Sequence, residues 1–176
     1  MFKEFLESVE IQPSSTLSLI ANMVGFLLLL VVINVPAGWI GIEFANEPAG
    51  EVWLQPPGWL VVAAWLLLFP AMGAARWLVM SSSLPAKEAV GWMIVGLGVL
   101  CAAYAYYTLG LERLTGVSSV VYGLIGNLLV IAVAIAVAWA VARHSTLAAW
   151  LIAAVSVWTA FATVSVVQFL FRLPNP

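Results

Sequence analysis

At 176 residues, 64% hydrophobic and only 8% charged, the chain is too apolar for a soluble domain, where about a quarter of residues carry charge. The net charge of −2 and the scattered Lys and Arg leave no basic patch, which excludes nucleic acid as a partner. One cysteine, Cys101, inside an apolar run, excludes an intrachain disulfide and offers no metal site.

Residues 1–15 are polar, with Phe2, Phe5, Leu6 and Val9 at near-helical spacing, so a short interfacial helix is predicted, ending in a break and cap at Pro13-Ser14-Ser15. Three glutamates and no small-residue cleavage site argue against a cleaved signal peptide. A first span is predicted over 16–35, the ~20 residues a hydrocarbon core requires, with Asn22 and Asn34 as polar exceptions. A long loop, 36–56, follows, carrying Glu43, Glu47 and Glu51 together with Trp39 and Trp53. Loops of that length are more often lids or binding elements than plain connectors.

Pro56 and Pro57 then pin the start of a second span, 57–80, because a proline at a helix start gives up no hydrogen bond. Trp59 lies one turn in; Trp65 and Phe69, four apart, share a face. Further spans are predicted at 89–109, with Tyr104, Tyr106 and Tyr107, at 117–141, and at 147–171. In the fourth, Ala132, Ala136 and Ala140 form one small-residue row and Ala134, Ala138 and Ala142 another, which predicts close helix packing in lipid. His144, beside Arg143 at a helix end, reads as interfacial rather than as a ligand. The expected fold is all-α: a single membrane domain over 1–176, built as a five-helix transmembrane bundle in contact with lipid.

Orientation follows the positive charges. Lys3, Arg76, Lys87 and Arg143 fall on the N-terminal side against Arg113 and Arg172 opposite, which predicts a cytoplasmic N-terminus. No span contains a carboxylate, there is no second histidine, and no catalytic constellation is visible, so a non-enzymatic role is expected. Asn127 and Gln168 read as helix–helix hydrogen-bonding residues.

Trp53, Pro56-Pro57-Gly58-Trp59, Trp65, Phe69 and Met72-Gly73-Ala74-Ala75, with Trp158-Thr159-Ala160-Phe161-Ala162-Thr163 in the last span, resemble the translocator protein family, also called tryptophan-rich sensory proteins. The resemblance spans nearly the whole chain. It departs at Gly96-Leu97-Gly98-Val99-Leu100, at Ala154-Val155 and at Val166, where polar or aromatic family positions are replaced. The resemblance implies a ligand cavity roofed by the long loop and bounded by Trp53, Trp65, Phe69, Trp158 and Ala162, with Pro56, Pro57 and Trp59 as structural residues. It implies a planar hydrophobic ligand, namely a porphyrin, a haem-like tetrapyrrole, another pigment or a sterol, with no cofactor required. It further implies a homodimer and, as location, the bacterial inner membrane. For Trp65 and Trp158 the reading as packing residues weighs equally with ligand contact; for Trp39, Trp53, Trp92 and Trp150 an aromatic belt at the membrane faces weighs more. A second function is an accessory subunit that stabilises neighbours, lipids or pigments in a larger membrane complex. Porphyrin degradation is the weakest alternative.

Overall fold

A chain of apolar runs about twenty residues long must satisfy its backbone hydrogen bonds internally once in lipid, and helices do so. The computed structural model of the protein describes residues 15–42 and 55–172, the side chain of Arg172 excepted. The predicted N-terminal interfacial helix, the loop glutamates and Trp53 lie outside the described residues. The helices are α1 (Thr16–Trp39), α2 (Gly58–Met80), α3 (Lys87–Ala102), a π-helical segment Tyr106–Gly110, α4 (Leu111–Thr115), α5 (Ser119–Ala142) and α6 (Thr146–Arg172). Four of them, α1, α2, α5 and α6, are long and apolar enough to cross a membrane; α3 and the segment 106–115 form a bent pair that counts as a fifth candidate when the two are taken as one span. The protein is an integral membrane helical bundle. Around it the helices run α1, α2, α6, α5, α3 and back to α1, with α2 also touching α3 across the middle.

Caps fall where serine permits. Ser15 Oγ accepts from Ser18 N at 3.1 Å and Ser145 Oγ from Ala148 N at 3.2 Å, each meeting a donor that the first helical turn leaves free. Pro57 is the residue before the first turn of α2, its carbonyl accepting from Leu60 N and Val61 N. Three expectations require correction. First, α1 does not end at residue 35: Pro36 lies inside it, and Ile40 N bonds back to the Pro36 carbonyl. Continuing the helix satisfies backbone groups that lipid would leave unpaired.

Second, the third span is not one straight helix. It breaks after Ala102 and bends by 55°. Side chains capture the carbonyls at the break: Asn34 Nδ2 donates to Ala102 O at 3.2 Å, and Thr108 Oγ1 donates to Tyr104 O at 2.6 Å. Tyr106 OH, from the π segment, donates to Ile33 O of α1 at 2.7 Å, so α1 braces the break twice. Third, the alanine rows are only part of the packing stripe of α5, through Ala134, which is buried, and Ala138 and Ala140, which pack on the core. Ala132, Ala136 and Ala142 are exposed, while Gly123, Gly126, Asn127, Val130, Ala134, Val137 and Val141 are buried. The alternation of Ala and Val hid the true stripe, which begins with glycines that admit tyrosine rings. α5 and α6 do form the most extensive helix pair.

The main core joins Leu68, Phe69, Met72, Ala75 and Val79 of α2 to Ile94, Leu97 and Cys101 of α3, Val130 to Val141 of α5, and Ala148, Ile152 and Val155 of α6. At the foot of the bundle, where α2 and α3 meet, Arg76 Nη1 donates to Asn22 Oδ1 and Trp77 Nε1 to Ser18 Oγ at 2.8 Å. His144 Nδ1 and Ser82 Oγ, 2.9 Å apart, link two interhelical turns at the same end.

Candidate functional site

The inward face of α6 is defined by Ala148, Ile152, Val155 and Thr159, spaced by three and four residues and all buried. The same face continues through Ala162, Thr163 and Val166, yet from residue 160 to residue 171 no residue is buried. On α2 the pattern is mirrored. Leu68, Phe69, Met72, Ala75 and Val79 are buried, but Val61 and Trp65, which continue that face toward the helix start, are half-buried, and residues 58–67 contain no buried side chain.

The two changes occur at one depth. Leu68 is twelve residues from the end of α2 at Met80, and Thr159 thirteen from the start of α6 at Thr146, each about 20 Å from the foot of the bundle at 1.5 Å per residue. Packing is therefore complete in the half of the α2–α6 pair near the foot and incomplete in the half near the long loop. Phe69, fully buried, and Thr159, 4% exposed, lie at the boundary.

Trp65 meets Phe69 edge-on, ring centroids 5.9 Å apart and planes at 64°, an arrangement that aromatic quadrupoles favour. Trp158 lies tilted against Phe161 at 5.7 Å. Both tryptophans pack on the main core while remaining half-buried, and Ala162, one turn above Trp158, is half-buried too. The structure thus places Phe69 and Trp158 at one depth, about 17 Å from the foot, and Trp65 and Ala162 about one turn above them. Phe69 presents no surface; it stands behind Trp65. Trp53 lies outside the described residues, and Trp59 is exposed at the start of α2, with Pro56 half-buried and Pro57 exposed beside it. Trp39, Trp92 and Trp150 are exposed near helix ends, as an aromatic belt requires.

Polar atoms in this region lack partners. Thr159 Oγ1, Ser156 Oγ, Tyr107 OH and Gln168 Oε1 are buried without a hydrogen bond. A helical threonine in apolar surroundings ordinarily bonds back to the carbonyl four residues earlier. Thr108, Thr115 and Thr163 each do so, at 2.6, 2.8 and 2.7 Å. Thr159 does not. A buried hydroxyl left without a partner costs about 1–3 kcal/mol, so its place at the packing boundary is informative. Thr159 lies within the last-span motif, and a hydroxyl beside a deep tryptophan is the sequence signal that marks it. Tyr107 lies with its ring against Gly126 of α5, where a side chain would collide with it, and stacks edge-on with Tyr104 at 5.4 Å.

Chemically the region offers aromatic faces and neutral hydroxyls. Among the described residues the carboxylates are Glu88 and Glu112, at the ends of the third span, and no cluster of His, Cys, Asp or Glu could hold a metal. Such a surface can stack on and hydrogen-bond a neutral flat molecule. In comparison with known proteins, the profile of the TspO/MBR family matches residues 26–172. No curated protein and no solved structure gives a significant match.

Proposed function

The chain belongs to the TspO/MBR family, a family of membrane proteins that bind hydrophobic molecules, and from that premise we propose that it holds a planar apolar ligand between the inner faces of α2 and α6. The class we propose is a tetrapyrrole, pigment or sterol, bound without being transformed and without any required cofactor. The observation that carries this reading is the shared depth at which burial ends on both helices, with Trp65 and Trp158 beside it. Trp65 and Trp158 stack on the ligand, Ala162 leaves room for it, and Phe69 backs Trp65. Stacking of this kind contributes about 0.5–1.5 kcal/mol per aromatic pair beyond the area buried.

We further propose a bacterial inner-membrane location with the N-terminus in the cytoplasm, because Arg76, Lys87 and Arg143 lie at the foot and Arg113 at the opposite end. A homodimer is supported by the outer face of α3, where Gly96 has nothing within 4 Å and Trp92 one turn away is exposed, so that a second copy can approach closely.

Titration of the detergent-purified protein with protoporphyrin, followed by tryptophan fluorescence, tests the ligand-binding reading. Saturable quenching is expected, with affinity lowered about tenfold in Trp65→Ala and Trp158→Ala while helicity is retained. Linear quenching that never saturates is detergent partitioning, and would contradict it. Gentle co-purification would then examine the accessory-subunit role instead.

A further inference from the structure

We infer that the deep end of this site is a hydrogen-bonding floor, selective for a ligand whose leading edge carries a neutral polar group such as a ketone, hydroxyl or lactam; the inference rests on the α2–α6 binding reading. Thr159 is 4% exposed, is the last buried residue on the inward face of α6, and its Oγ1 has no partner. Its own carbonyl is occupied by Thr163 Oγ1 at 2.7 Å, and it forgoes the back-bond that Thr163 makes. Ser156 Oγ, one turn deeper on the same helix, is likewise buried and unpartnered.

Tyr107 OH is a third unpartnered group. Its ring rests on Gly126 of α5, sixteen residues from the end of that helix at Ala142, and so about one turn above Thr159. Thr159 and Ser156, on one helix, thus place two hydroxyls that can donate and accept at the packing boundary of α6, and Tyr107 adds a third at similar depth against α5. None carries charge. Arg76, Lys87, Arg113 and Arg143, the described cations, sit toward or beyond the helix ends. An ionised carboxylate at this depth would have no counter-charge and would stay unfavourable, whereas a neutral acceptor or donor gains a partner. Acidic substituents of a ligand accordingly point back to the loop side.

A matched pair of ligands provides the test: etioporphyrin, whose rim bears only alkyl groups, and its mono-acetyl analogue, each titrated by tryptophan quenching. The ratio of their affinities in the wild type, compared with that in Thr159→Val, cancels differences in partitioning. Thr159→Val replaces the hydroxyl by a methyl of the same shape and is expected to reduce the preference for the acetyl compound about tenfold. A ratio unchanged by the substitution would overturn the floor while leaving ligand stacking intact. If neither porphyrin binds saturably to the wild type, the α2–α6 reading fails and the floor falls with it. Thermal unfolding of the empty proteins adds a separate readout: removing an unpartnered hydroxyl should raise the midpoint in Thr159→Val. A lowered or unchanged midpoint would mean that a bound water already satisfies Thr159, and would overturn the proposal.

Discussion

Gly73 and Gly126 mark two close approaches that depend on a missing side chain, and they differ in what lies opposite. A Cβ on Gly73 would sit 2.5 Å from the Asn22 carbonyl oxygen and 2.7 Å from Met23 Cα, both backbone atoms of α1. Backbone cannot swing aside, so Gly73→Ala must push α1 and α2 apart. A loss of about 3 kcal/mol is expected, the upper end for overpacking, read as the unfolding midpoint in detergent. Gly126 faces the ring of Tyr107, which can rotate, so Gly126→Ala should cost less, about 1–2 kcal/mol. Gly25 has nothing within 4 Å. There an alanine lowers the backbone entropy lost on folding, and Gly25→Ala should be neutral or stabilising by up to about 1 kcal/mol. Equal effects at all three positions would contradict the close α1–α2 crossing. Sequence showed Gly73 within a small-residue stretch; it could not show that Asn22, 51 positions earlier, is what the glycine admits.

The bent third span is held by side chains of another helix. Asn34 and Tyr106 form hydrogen bonds between α1 and the break at 3.2 and 2.7 Å, each worth about 1 kcal/mol net. Asn34→Leu or Tyr106→Phe should therefore leave the bundle folded but speed amide exchange over residues 103–110 about fivefold, as measured by hydrogen exchange and mass spectrometry. No change in exchange would show that the break is intrinsic to the segment. The apolar run was legible in the sequence, because length and composition are local properties. The break was not legible, since it depends on a pairing between Asn34 and a carbonyl 68 positions away. The same limit applied to α5. There the Ala and Val residues are interchangeable in hydropathy, and only the position of the tyrosines picks out Gly123 and Gly126 as the buried edge.

At the scale of the whole bundle, the α2–α6 pair is filled at the foot and not toward the long loop, whereas at that upper end α1 and the bent third span still bury Ala37, Ile42 and Ala105 together. Arg76, Trp77 and Ser18 tie α1 to α2 at the foot, and Phe69, Met72, Ile94, Leu97 and Ile152 fill the interior above them. A packed foot lets the halves of α2 and α6 nearer the long loop stay loosely packed without loss of the fold; Trp65 and Ala162 lie just above that boundary, with Trp158, Thr159 and Ser156 at it or just below. The Pro-Pro corner, Trp65 and Trp158 were readable from motif spacing. The boundary at Phe69 and Thr159 was not, since it emerges only when two antiparallel helices are aligned in depth.

Photo-oxidation by bound porphyrin tests the placement of the ligand most directly. Illuminated at saturation in nanodiscs, the protein is digested and the oxidised tryptophans are quantified by mass spectrometry. Bound between the upper halves of α2 and α6, porphyrin should oxidise Trp65 and Trp158 first, although they are half-buried, and excess non-sensitising iron protoporphyrin should protect them. Oxidation led by Trp92, Trp139 and Trp150, which are exposed on the outer surface, would place the porphyrin in the surrounding lipid and contradict the account.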